Sequence, residues 1–157
     1  MNELLEKLQV LIRRLAQQEI MPRFNGAGYS FKADGSLVTR ADTAMQAAVI
    51  GALRETWPQY EILGEEMSAA QQQLLLDDRS GSGLWILDPL DGTSNFASGI
   101  PIFSVSVALL LEGEVQLGLV YDPVRDECFC AIRGEGAWLN NQVLQPQVKR
   151  ERIDQCI

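Results

Sequence analysis

Histidine is absent from all 157 residues. That removes Ser-His-Asp and Cys-His catalysis, zinc sites built on imidazole, and a histidine general base. Cysteine is scarce, with three in the chain. Cys128 and Cys130 flank Phe129, so on a strand both point to one face, which is awkward for a mutual disulfide and lacks zinc-ligand spacing. They read as buried reduced thiols, and Cys156 has no obvious partner, which fits a reducing, cytoplasmic setting. Basic residues are outnumbered, 13 against 21 acidic, and the net charge of −8 argues against nucleic-acid or anionic-membrane binding. The N-terminus has no long apolar run, because Glu3, Glu6, Arg13 and Arg14 interrupt it, so neither a signal peptide nor a membrane span is expected. No internal repeat or break in composition divides the chain. With 46% hydrophobic and 22% charged residues, a single α+β domain with a real core is expected across 1–157.

Periodicity gives the elements. Leu4, Leu5, Leu8, Leu11, Ile12 and Leu15 form a helical stripe between Asn2, a plausible cap, and Pro22, a stop. Phe31 to Thr39 reads as a strand interrupted or preceded by an Asp34-Gly35 turn. Asp42 is placed to cap a second helix, Thr43 to Thr56, with Met45, Val49, Ala52 and Leu53 inward. Ile62-Leu63 is a short strand, and Met67 to Ser82 reads as a short helix and a surface loop. Phe103 to Leu111 and Val115 to Tyr121 form a hairpin across Glu112-Gly113-Glu114, followed by strands at Glu127 to Arg133 and Ala137 to Leu139 and a tight Asn140-Asn141 turn. Two helices and then an antiparallel run predict an α+β fold with the helices on one face of a mainly antiparallel sheet.

The stretch from Trp85 to Phe96 carries the chemistry. Trp85-Ile86-Leu87 reads as a buried strand, and Pro89 fixes φ directly after Asp88, so a turn is expected there. A tight turn brings residues three apart within about 7 Å, which lets Asp88 and Asp91 converge. Two carboxylates that close repel unless a proton or cation lies between them, and all-oxygen donors favour Mg²⁺, Mn²⁺ or Ca²⁺ over zinc. Gly92 and Thr93 then open a helix over Ser94-Asn95-Phe96, whose first N–H groups suit an anion such as phosphate. Cations would also let a phosphorylated molecule approach so acidic a chain. The plainer alternative is that Asp88 and Asp91 only cap a turn and a helix.

Lys32 to Asp42, Gly64-Glu65-Glu66, Asp88 to Thr93, and Gly134 to Asn140 in this order resemble the inositol monophosphatase family of Mg²⁺-dependent, lithium-sensitive phosphomonoesterases. The resemblance runs over essentially the whole chain, and Ser94-Asn95-Phe96 resembles its inositol and sugar phosphatase branch. It implies the N-terminal half of the sugar-phosphatase fold, a small inositol or sugar phosphate as substrate, and a homodimer. It implies that Glu65, Asp88 and the Leu90 carbonyl hold one Mg²⁺ and that Asp88 and Asp91 contribute to a second. Thr93, paired with Glu65 and oriented by Asp42, would position and deprotonate the attacking water, and the Gly92 and Thr93 amides would hold the phosphate. Lys32 resembles the family's basic residue near the outer metal, and Glu66 stands behind the ligands. Members of the family are longer, and their second half carries a Trp-Asp motif that completes the second metal site. None of Trp57, Trp85 or Trp138 is followed by Asp. The chain is therefore expected to be the N-terminal portion of a longer chain or a shortened relative, with impaired activity on its own and an exposed sheet edge that favours association. A non-catalytic metal-binding or dimerisation module, and a fructose-1,6-bisphosphatase-like or nucleotide bisphosphate phosphatase, are the alternatives.

Overall fold

The structure, a computed structural model, describes residues 1–24, 26, 29–31, 37–77 and 83–145. Helix α1, Asn2–Glu19, buries Leu5, Leu8, Ile12, Leu15 and Ala16, the stripe its period predicts. Asn2 is not its cap: it lies inside the first turn, and Met1 holds the cap position without a side-chain bond. The helix gives way to a 3₁₀ turn at Met21–Arg23, with Pro22 at its start.

Strands β1, Tyr29–Phe31, and β2, Leu37–Thr39, pair antiparallel as a small separate sheet. Lys32 and the Asp34-Gly35 turn lie outside the described residues. Helix α2, Arg40–Thr56, starts earlier than the position of Asp42 suggests. Thr39 is the cap, its hydroxyl accepting from Ala41 N–H at 3.1 Å, while Asp42 reaches back to accept Thr39 N–H at 2.8 Å. The two orphan donors of the helix start are satisfied reciprocally, so Asp42 belongs in the first turn of the helix and not before it. Met45, Val49 and Leu53 are buried, and the Trp57 N–H closes the end on Leu53 O at 2.7 Å.

The remaining strands are β3 (Glu61–Gly64), β4 (Leu84–Asp91), β5 (Ser104–Leu111), β6 (Glu114–Asp122), β7 (Glu127–Ile132), β8 (Gly136–Leu139) and β9 (Gln142–Val143). Among the described residues they form one seven-stranded sheet in sequence order. Only the β3–β4 pair is parallel, which confirms the mainly antiparallel α+β architecture. Between β3 and β4 comes α3, Ala69–Asp77, started by a reciprocal Ser68–Gln71 pair. Helix α4, Thr93–Ala97, follows β4.

The alternation along the strands decides which face is core. Trp85 and Leu87, Val105, Val107 and Leu109, Leu117, Leu119 and Tyr121, and Cys128, Cys130 and Ile132 share one cluster with the inner faces of α1 and α2. Each such aliphatic side chain contributes about 1.5–3 kcal/mol on burial. Hairpin turns sit where φ must be positive, at Glu112-Gly113 and Asn140-Asn141. Helix α1 is also fastened to the far end of the sheet. The Arg13 guanidinium bonds Asp126 and Asn140 and lies 5.2 Å from the Tyr121 ring centre.

The turn expected at Asp88 does not form. Strand β4 runs on to Asp91, with Asp88 opposite Ser106 and Asp91 opposite Ser104 and a register shift between them. Three steps on β4 face two on β5, a bulge. Pro89 explains it, because a residue without an N–H cannot donate to a ladder and is tolerated in a strand at such an irregularity.

Candidate functional site

The site forms where β3 ends beside its parallel neighbour β4. Gly64 pairs with Leu87, and Glu65 N–H donates to Leu87 O at 3.0 Å, so Glu65, just past β3, and Asp88, within β4, stand side by side. Their carboxyls are in hydrogen-bond contact. Burial first, then the Glu65 hydrogen bond and charge, with a smaller push from Asp91, raise Asp88 to about 7, while the Leu90 N–H, donating to Asp88 Oδ1 at 3.1 Å, pulls the other way. Two carboxyls in contact need a proton or a cation between them, so these residues suit a hard divalent ion.

A second group assembles around Thr93. Its Oγ1 lies 2.9 Å from both Asp42 Oδ1 and Leu90 O. A hydroxyl has one proton, so it donates to one of them at a time. Asp42 is 1% exposed, and its other oxygen, Oδ2, accepts both the N–H and the hydroxyl of Thr39. The carboxylate is therefore held with Oδ1 turned to Thr93. Leu90 buries its side chain while its carbonyl meets the Thr93 hydroxyl, and a carbonyl oxygen carries a second lone pair.

Gly92 sets the approach to Thr93. Its φ is 90°, and a Cβ there would stand 3.0 Å from Ile102 O and 3.2 Å from Phe103 Cα, so only glycine fits. Asn95 Nδ2 donates to Ile102 O at 2.8 Å and ties α4 to the same segment.

The structure thus brings Glu65 to Asp88, and Thr93 to Asp42 and Leu90. Asp91 is exposed at the end of β4; its charge reaches Asp88, but among the described residues no three acidic, cysteine or histidine side chains converge as an ion-binding group. Glu66 follows Glu65 and is half-buried, and Lys32 lies outside the described residues. Thr39 joins the site by holding Asp42, and the signal for it in the sequence is Thr39-x-x-Asp42 before an apolar helix, a readable capping pattern.

Comparison with known proteins places this geometry. The inositol monophosphatase family model matches residues 2–157. The Nus factor SuhB of Haemophilus influenzae is 43% identical over 114 residues, 73% of this chain and 40% of that protein. The IMPase of Thermotoga maritima superposes with a TM-score of 0.80 at 30% identity, over 92% of this chain and 54% of that one. An IMPase/NADP phosphatase complexed with Mg²⁺ and phosphate gives a TM-score of 0.74 at 29% identity, over 94% and 54%. The chain spans about half the length of the relatives it matches, or somewhat less. No helix among the described residues is long and apolar enough to cross a membrane.

Proposed function

Because this chain belongs to the inositol monophosphatase family, we propose that it supplies the metal-binding and water-activating part of a Mg²⁺-dependent phosphomonoesterase acting on inositol monophosphate or a similar sugar phosphate. The observation that carries this reading is the contact between Glu65, just past the end of β3, and Asp88 on the neighbouring β4. Glu65, Asp88 and the Leu90 carbonyl would hold one Mg²⁺, and Asp91 would contribute to a second. Bound there, Mg²⁺ lowers the pKa of water and neutralises charge on the phosphate and the leaving oxygen.

The chain's own residues do the rest. With its proton directed to Asp42 Oδ1, Thr93 Oγ1 turns a lone pair outward and accepts a proton from the attacking water. Asp42 takes up the hydroxyl proton in exchange, which supplies the base that a histidine-free chain lacks. The Gly92 and Thr93 amides at the start of α4 orient phosphate oxygens. Glu66 supports Glu65, and Lys32 balances charge near the outer metal. The protein works in the cytoplasm as a homodimer, and this chain alone turns over weakly or not at all, since Glu65, Asp88, Leu90 and Asp91 make only part of a two-metal centre.

A second reading has specific support: a metal-binding or dimerisation module without catalysis. A relative bears the name Nus factor, and among the described residues no three acidic side chains converge as an ion-binding group. A nucleotide phosphatase is the third, since one neighbour is an IMPase/NADP phosphatase. Calorimetric Mg²⁺ titration and phosphate release, for wild type and Asp88→Asn, separate these readings. Metal binding lost in Asp88→Asn supports the proposed site, and binding indifferent to that change overturns it. Binding without release favours the module, and a substrate panel including NADP decides specificity.

A further inference from the structure

Gly64, Glu65 and Glu66 leave β3 in a tight turn, closed by Met67 N–H donating to Gly64 O at 3.2 Å. Two glutamines from different helices grip that turn. Gln46 on α2 accepts the Glu66 N–H at Oε1, 2.8 Å away. Gln72 on α3 donates through Nε2 to Gly64 O at 3.1 Å and to Glu65 O at 3.0 Å. Gly64 has no positive φ to require glycine. Its bareness makes room for Gln46 instead, because a Cβ would collide with Gln46 Oε1.

Gln46 and Asp42 are four residues apart on α2, one above the other on the same face. Asp42 holds the Thr93 hydroxyl, and Gln46 holds the turn that carries Glu65. One rigid helix therefore touches both halves of the site. We propose that Gln46 is a positioning residue that fixes Glu65 against Asp88 through the Glu66 amide, with Gln72 gripping the same turn from the other side. This rests on the metal site proposed above and adds the residue that aligns its two halves.

The test uses the 157-residue chain, with MgCl₂ alone as probe in calorimetry and amide hydrogen exchange at Glu66 without metal. Gln46→Met keeps the side chain's size and removes the acceptor. Supporting groups of this kind typically change metal affinity 10–100-fold, so Gln46→Met should weaken Mg²⁺ binding by about tenfold and remove protection at Glu66. Gln46→Glu retains an acceptor oxygen and should keep both close to wild type. Gly64→Ala displaces the same oxygen and should reproduce the Gln46→Met loss. The double variant Gly64→Ala/Gln46→Met should then be no weaker than either single, because both break one bond.

A purely structural role would lower the melting temperature while leaving the Mg²⁺ affinity of the folded protein unchanged, and would overturn the proposal. So would losses that add in the double variant. If wild type binds no Mg²⁺, the metal reading falls by itself. The positioning role is then judged on the metal-free chain: a Glu65 ¹³C carboxyl shift that moves in Gln46→Met supports it, and one that stays in place refutes it.

Discussion

Asp88 makes the metal-free chain less stable as pH rises. Its carboxyl is pushed up to about 7 from 3.8, chiefly by burial and by the Glu65 carboxyl beside it. The folded state thus holds this proton more tightly than the unfolded chain does. Its stabilising contribution is fully present below pH 3.8 and is lost as pH climbs through about 7. A shift of that size corresponds to about 4 kcal/mol if the site were dry. Asp88 is only half-buried, and solvent screening reduces the expected change to about 1–2 kcal/mol. Urea unfolding in EDTA at pH 5 and pH 8 measures it. Asp88→Asn keeps a donor toward Glu65 and carries no charge, so it should flatten the profile and be the more stable protein at pH 8. Saturating Mg²⁺ at a hundredfold over Kd should restore about 2.7 kcal/mol to wild type and nothing comparable to the variant. A wild-type profile flat between pH 5 and 8, or an equal slope in Asp88→Asn, would refute the account of the carboxyl pair.

Thr93→Ala removes the hydroxyl proton shared between Asp42 and Leu90, and in a protein with the full site it should lower kcat by roughly 10²–10⁴-fold with the fold intact by circular dichroism. Gly92→Ala places a side chain at φ 90° against Ile102 O, and denaturant titration should show a loss of about 1–3 kcal/mol. Cys128 is buried, and its thiol is pushed up to about 11 by desolvation, with the neighbouring Cys130 adding to it. At pH 8 it should stay unreactive to a thiol reagent until denaturant unfolds the chain, and rapid labelling of the native protein would contradict its placement.

Local patterns were legible where neighbours in sequence are neighbours in space. The β5–β6 hairpin follows from strict alternation on either side of Glu112-Gly113, and α1 from its apolar stripe. The start of α2 was misplaced because Thr39 and Asp42 are both good caps, and only their reciprocal bonds decide between them. Pro89 suggested a turn, but the pairing of β4 with β5 outweighed it and a bulge absorbed the proline. Helix α3 falls within the stretch read as a short helix and a loop, although it is glutamine-rich and has no strong apolar stripe to fix its bounds. The meeting of Glu65 with Asp88 depends on the parallel pairing of β3 with β4 across an intervening helix, which no local pattern encodes. Family likeness, not periodicity, pointed to that pair. The grip of Gln46 on Glu66 left no mark at all, since an amide on a helix face reads as solvated surface.

The fastening of α1 by Arg13 also constrains the order of events during synthesis. Arg13 emerges 113 residues ahead of Asp126 and 127 ahead of Asn140. At ribosomal speeds of about 5–20 residues per second, those partners arrive roughly 6–25 s later. Until α2 and the first strands follow, the leucines of α1 have no apolar face to cover, and the nascent helix waits as an unprotected greasy surface. A chaperone that shields emerging chains would find its first customer there, and the clasp would shut only once the β8–β9 hairpin had left the tunnel.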